Sequence, residues 1–161
     1  SGSKSSVQKP EPVKPLPEKL PTPDELLGSM TAISFSAVSF KSFESAPQKV
    51  LSELVRIQAV RITKDLKLTV GQKNAAVMDI VFSMSADPDF QGWVISAELK
   101  CPTKGGKTMS AWQKTGLVLS GDPKKLRMTK GTQQPVVQNL GKFFDQFLEA
   151  ERQARLKLEP E

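Results

Sequence analysis

The stretch from Val77 to Ser120 places an apolar side chain at every second position through three consecutive segments. This alternation is typical of strands that bury one face of a sheet and expose the other. In the middle segment, the residues between Gly92 and Pro102 that share the apolar face are Trp93, Ile95, Ala97, Leu99 and Cys101. The pattern therefore predicts three sequential strands in one sheet, with an apolar face that another element must cover.

The C-terminal region supplies an element that fits this face. Apolar side chains recur there at helical spacing over about six turns, which predicts a long amphipathic helix. We expect Thr132 to cap it, with Pro135 tolerated in the first turn, and we expect Phe143, Phe144 and Phe147 to pack on the sheet. The residues of the stripe are Val136, Val137, Leu140, Phe143, Phe144, Phe147, Leu148, Ala154 and Leu158.

The segment from Thr31 to Lys41 is rich in β-branched and aromatic residues, which predicts an additional strand. Its apolar residues change parity after Ala37, which indicates a bulge there. A capping box of Ser45 and Gln48 then begins a helix, and we expect a switch to strand near Gln58, followed by alternation at Leu66, Leu68 and Val70.

This order of elements predicts an α+β fold, a two-layer sandwich around one mainly antiparallel sheet of about four or five strands. Two helices are expected on one face of the sheet, the longer of them at the C-terminus.

The N-terminal region has a different composition. Residues 1–23 contain half of the chain's twelve prolines, interspersed with lysine, glutamate and serine. Such a segment favours extended, disordered chain. We therefore expect a flexible Pro-rich tether over residues 1–30 and a single α+β domain over residues 31–161.

Two resemblances follow from these features. The composition of KPEPVKPLPEKLPTP is similar to the periplasmic spacers of TonB-like proteins. The order of elements resembles the small accessory lipoproteins of bacterial envelope transport, which hang from a membrane by a flexible tether. The resemblance implies an extracytoplasmic, periplasmic location at the membrane; a cytoplasmic location is the alternative.

The composition argues against an enzyme. The chain has no histidine and no tyrosine, which removes the most frequent general base and the Ser-His and Cys-His nucleophile pairs. The single cysteine, Cys101, is expected to be a buried thiol. We expect no cofactor and no small-molecule substrate, and no apolar run is long enough to span a membrane.

The segment from Asp87 to Leu99 resembles the calcium loop of the EF-hand family. Asp87, Asp89, Gln91 and Glu98 fall on ligand positions of that loop, and Gly92 falls on its turn position. The flanking sequence alternates with a period of two, whereas the motif needs two helices. The other interpretation is a β-hairpin loop, with Glu98 on the exposed face of a strand.

The segment from Thr103 to Thr108 ends in the Gly-Lys-Thr of a phosphate-binding loop. The pattern requires a glycine where Cys101 stands, so the other interpretation is a hairpin turn at Gly105 and Gly106.

A basic loop precedes the last helix, and lysines from the hairpin could gather near it. Such a patch would bind the phosphates of nucleic acid or of an anionic lipid surface, with Trp112 expected on the less apolar face of its strand. The residues of this predicted patch are Lys104, Lys107, Lys124, Lys125, Arg127 and Lys130.

The leading functional expectation is a non-catalytic, extracytoplasmic accessory domain that binds another protein of a membrane-associated assembly. A basic module that binds RNA or DNA is the alternative, and a calcium-binding protein is a third possibility.

Overall fold

The computed structural model describes residues 19–71 and 73–160 and confirms the predicted α+β class. In chain order the elements are α1 (Pro23–Gly28), β1 (Ala32–Phe35), β2 (Ser39–Phe40), α2 (Ser45–Asp65), β3 (Thr69–Val70), β4 (Ala76–Ser85), β5 (Gly92–Pro102), β6 (Thr108–Ser120) and α3 (Lys130–Leu158). The strands form one mixed, mostly antiparallel sheet in the order β3-β1-β4-β5-β6, with β2 beside β4.

The three strands predicted from the alternation are β4, β5 and β6, which pair antiparallel in sequence order. Met78, Ile80 and Phe82 of β4 lie opposite Leu99, Ala97 and Ile95 of β5, so these six side chains share one face. All six are buried. The sheet therefore has the one-sided apolar face that its period of two predicts.

Helix α3 covers this face. Phe143, Phe144 and Phe147 are buried in the same core cluster as the sheet residues, and the Phe143 ring lies on Gly116 of β6, where a Cβ atom would come within 2.8 Å of it. The ring centroid of Trp112 lies 5.0 Å from that of Phe147. The expectation for Trp112 was thus wrong: it faces α3, because it lies opposite Leu99 on the covered face.

The predicted bulge lies between β1 and β2. Ile33 pairs with Ala76, and Ser39 pairs with Val81, so six residues along the first strand span five along β4. The extra residue brings Phe35 opposite Met78 and Phe40 opposite Phe82, although their numbers differ in parity. Both aromatic rings therefore pack against the core.

Helix α2 differs from the prediction in two ways. It continues to Asp65 instead of ending near Gln58, and its N-cap is Glu44 rather than Ser45. The buried positions Leu51, Val55 and Ile62 keep one helical face against the core. Exposed apolar residues elsewhere on α2 gave its second half the pattern of a strand. Because the helix continues to Asp65, β3 contains only two residues.

Helix α1 adds a third helix to the two that were predicted. Its Leu27 is buried, and Gly28 lies against Ala154 and Leu158 of α3. The packed chain therefore extends N-terminal to Thr31, while residues 1–18 of the predicted tether lie outside the described residues.

Helix α3 begins one turn earlier than predicted. Its N-cap is Thr129, which forms a reciprocal capping box with Thr132. In the part of the chain that the structure describes, no helix is both long enough and apolar enough to cross a membrane.

Candidate functional site

The residues of the predicted calcium loop do not converge. Asp87 and Asp89 lie in the turn between β4 and β5, where the Asp87 side chain accepts a hydrogen bond from the amide of Asp89 at 3.0 Å. Gln91 ends that turn, and its carbonyl accepts from Gly121. Glu98 lies six residues along β5 from Gly92, about 20 Å away at strand spacing. The segment is a β-hairpin, and within residues 19–71 and 73–160 no cluster of three or more acidic, cysteine or histidine side chains is suited to a metal ion.

Glu98 instead belongs to a polar group on the uncovered face of the sheet. Asp79 of β4 accepts a hydrogen bond from Ser36 at 2.6 Å and lies 3.2 Å from the Lys100 ammonium, which is 3.7 Å from Glu98. The Ser36 hydroxyl, with Lys100, holds the pKa of Asp79 below its ordinary value, and Asp79 in turn raises the pKa of Lys100. Lys100 offsets one of the two carboxylate charges, so the group keeps one net negative charge.

The segment that resembles a phosphate-binding loop is the hairpin turn between β5 and β6. The Thr103 hydroxyl and amide both donate to the Lys107 carbonyl, at 2.7 and 2.8 Å. Gly106 has a φ of 80°, which explains the need for glycine in this turn. No helix follows to present its N-terminus to a phosphate, because β6 begins at Thr108.

The predicted basic patch is divided between two ends of the sheet. Lys104 and Lys107 precede β6, whereas Lys124, Lys125, Arg127 and Lys130 follow it. The thirteen residues of β6 separate the two groups by about 40 Å. The Arg127 guanidinium is also engaged, because it donates to the carbonyls of Lys124 and Leu126.

Lys104 and Lys107 line a groove of about 800 Å³ beside α1. Lys19 adds a third cation, and Glu25 adds a carboxylate. The side chain of Leu20 is the most exposed large apolar group there, at the N-terminal limit of the described chain.

A second groove lies between α2 and the sheet edge formed by β1 and β3. Its volume is about 710 Å³, and we refer to it as the α2 groove. Val60 of α2 and Val70 of β3 are 57% and 64% exposed within it, although both are large apolar residues. The lining residues are Ser34, Phe35, Arg56, Ala59, Val60, Thr63, Lys64, Lys67, Leu68 and Val70.

The α2 groove carries positive charge. Arg56, Lys64 and Lys67 line it, and none of the lining residues is a carboxylate. Arg56 pairs with Glu53 one turn earlier on α2. Lys64 and Lys67 form no ion pair among the described residues.

Lys67 has a strained backbone conformation. It has a φ of 54°, the left-handed region that favours glycine, because it stands directly after the C-cap of α2. The amides of Lys67 and Leu68 donate to the carbonyls of Lys64 and Thr63, the two bonds of a Schellman motif. A charged side chain is thus kept at a position where glycine would be less strained, and strained residues of this kind concentrate at functional sites.

Sequence reasoning did not identify the α2 groove, because its lining comes from three separate segments. A signal was present: Val60 is apolar, but it lies off the helical face defined by Leu51, Val55 and Ile62.

Cys101 faces the covered core rather than either groove. Burial raises the pKa of its thiol to about 11. The thiolate, which is the nucleophilic form, is therefore scarce at neutral pH.

In comparisons with known proteins, no protein-family model matches the chain, and no curated protein sequence matches it.

Proposed function

We propose that this chain is a non-catalytic accessory domain that acts by binding another protein through the α2 groove. The observation that carries the proposal is the exposure of Val60 and Val70 inside a concave, basic surface. Exposed apolar side chains rimmed by charge are typical of protein–protein interaction sites.

A binding role also fits the reactive groups of the chain. It has no histidine or tyrosine, its single thiol has a raised pKa, and Asp79 is occupied by Ser36 and Lys100. The most frequent nucleophiles and bases of catalytic sites are thus absent from the sequence or, at Cys101 and Asp79, unreactive or engaged.

The partner in this proposal is a component of a membrane-associated assembly on the extracytoplasmic side. This part rests on the Pro/Lys/Glu-rich N-terminal composition and on the order of elements. The gene sequence upstream of Ser1 tests it: a signal peptide that ends in a lipidated cysteine supports the periplasmic location, and a cytoplasmic start without one contradicts it.

Site-specific photo-crosslinking in the native host tests the binding surface. A photo-reactive residue at Val60 is expected to yield one discrete adduct, whose partner is identified by mass spectrometry. Val137 is the matched control, because it is also an exposed valine on a helix but lies outside the groove. Equal adducts at both positions, or none at Val60, would contradict the proposal.

The basic residues of the loop between β6 and α3 provide the test of the nucleic-acid alternative. We expect labelled RNA, labelled DNA and anionic vesicles to bind weakly, since the patch is divided. Tight binding of a nucleic acid that is lost in the double variant Lys124→Glu, Lys125→Glu would replace the protein partner with that ligand.

A further inference from the structure

The sheet edge inside the α2 groove is only partly covered. Strand β3 pairs with β1 at Ala32 and Ile33 alone. The amide of Gly71 donates to the Ile33 carbonyl at 3.4 Å, and the chain then turns away with a Gly71 φ of 70°. Beyond Ile33, no described strand lies on this side of β1.

The main chain of Phe35 points toward this open edge. Its neighbour Ser36 donates its amide to the Met78 carbonyl of β4 at 3.0 Å. Successive residues of a strand direct their N–H and C=O groups to opposite sides, so those of Phe35 point away from β4. They face the space that a continuation of β3 would fill, and an open edge of this kind is a template for another strand.

We propose that an extended acidic segment of the partner protein adds to the sheet as a strand beside β1 at Phe35. This inference rests on the proposed function and specifies the chemistry of the partner. The main chain of the segment pairs with Phe35, and the side chains on one face of the added strand, apolar and acidic in turn, enter the α2 groove. The apolar ones pack against Val60 and Val70. This is the β-augmentation mode of peptide recognition, in which main-chain bonds provide affinity and side-chain pockets provide specificity.

The charges of the groove determine the character of the segment. Carboxylates on the groove-facing side of the added strand would meet Lys64 and Lys67, which form no ion pair among the described residues, whereas Arg56 is already paired with Glu53. The strained backbone of Lys67 keeps one of these cations at the rim. Complementary charge of this kind governs the choice of partner and the association rate.

The same charges disfavour a second copy of this chain as the occupant. Pairing of two β1 edges would bring Lys64 and Lys67 of both copies together at one interface. The whole chain also carries a net charge of +6. Like charges in direct apposition suppress such a pairing.

Three synthetic peptides test the inference on the full-length chain, with affinities measured by calorimetry. In the first, every second residue is threonine and the residues between them are valine and glutamate in turn, so that both reach the groove from one face of the strand. The second replaces each glutamate with lysine, and the third is the first with its backbone nitrogens methylated. We expect the acidic peptide to bind and to slow hydrogen exchange at the Phe35 amide. Methylation should weaken it by about tenfold, since it removes main-chain donors, and the lysine peptide should not bind.

A charge-reversal pair supplies the matched control. The double variant Lys64→Glu, Lys67→Glu should lower the affinity for the acidic peptide by about tenfold at low salt, and by less as the salt concentration rises. Lys49→Glu with Lys142→Glu changes the net charge equally outside the groove and should have little effect.

Several outcomes would overturn the inference. Equal binding of the methylated peptide would show docking without strand addition, and equal loss in both charge-reversal pairs would place the peptide elsewhere. Absence of peptide binding would reject the acidic strand, and a dimer disrupted by Val60→Asp would make a second copy the occupant. The crosslinked adduct at Val60 is measured independently of these peptides, so failure of the peptides would leave the proposed function untouched.

Discussion

Replacement of Phe147 with alanine should destabilise the domain strongly. Phe147 is fully buried and packs against the Trp112 ring, with 5.0 Å between ring centroids. Burial of a phenylalanine side chain contributes about 1.5–3 kcal/mol, and its edge-to-face contact adds about 0.5–1.5 kcal/mol. The cavity left behind brings the expected loss in the free energy of unfolding to about 3–5 kcal/mol.

Urea denaturation followed by circular dichroism measures this loss. With a denaturant slope near 2 kcal/mol per molar, a loss of about 4 kcal/mol lowers the midpoint by about 2 M urea. Lys142→Ala is the control, because Lys142 is exposed on the same helix, and its midpoint should stay close to that of the parent.

An unchanged midpoint for Phe147→Ala would refute the packing of α3 on the sheet. The aromatic face of α3 would then be free in solution, and it would become a competing candidate for the partner surface.

Four further measurements test other parts of the structure. Lys67→Gly should raise the free energy of unfolding by roughly 0.5–1 kcal/mol, because glycine relieves the left-handed backbone, while weakening the acidic peptide; a loss of stability would contradict the strain. Cys101 should react slowly with a thiol reagent at pH 8 until the protein is unfolded, because burial raises its pKa to about 11; rapid reaction of the folded protein would show an accessible thiol. Millimolar calcium should leave the melting temperature unchanged to within about a degree, since a single site at 100 times its dissociation constant would add about 2.7 kcal/mol; a rise of several degrees that is lost in Glu98→Gln would restore the calcium site. Asp79→Asn should destabilise the domain at neutral pH, because the pKa of Asp79 is lowered by Ser36 and Lys100. The stabilisation by the ionised carboxylate is complete above the ordinary pKa of 3.8 and disappears as the pH falls through the lower folded-state value, so an equal loss of stability at pH 7 and at pH 2 would contradict it.

The parts of the fold that could be predicted are those in which one residue pattern had one structural solution. Strands β4 and β5 place a buried apolar side chain at every second position, with Val94 as a buried exception, and the buried side chains of α3 recur at helical spacing. Each pattern therefore defines its element. The bulge between β1 and β2 was predictable for the same reason, since Phe35 and Phe40 cannot share a face of a regular strand.

Helix α2 was mispredicted because its sequence satisfies two periods at once. Val55 and Ile62 fit a helix, yet Val55 and Ile57, and then Val60 and Ile62, also stand two residues apart, as in a strand. Only the packing of the helix on the sheet decides between them, and that information is not local. The α2 groove was missed for the same reason, because Val60, Phe35 and Val70 come together around it only after the chain has folded.

The N-cap residues of α2 and α3 lie one and three positions before the predicted ones. Thr132 was expected to cap α3, but Thr129 also has a hydroxyl at the right spacing, and the two bond reciprocally. The sequence contains both candidates, and the extent of the first helical turn selects between them.

The bulge between β1 and β2 makes this strand tolerant of a change in chain length. Loss of one residue elsewhere in a strand turns every later side chain to the opposite face of the sheet. Loss of one residue between Ser36 and Ser39 would instead remove the extra residue of the bulge, so that β1 and β2 would continue each other in one register with β4. Phe35 would remain opposite Met78 and Phe40 opposite Phe82, now on a continuous strand. A single-residue deletion here therefore leaves the core intact and straightens the edge to which a partner strand would add.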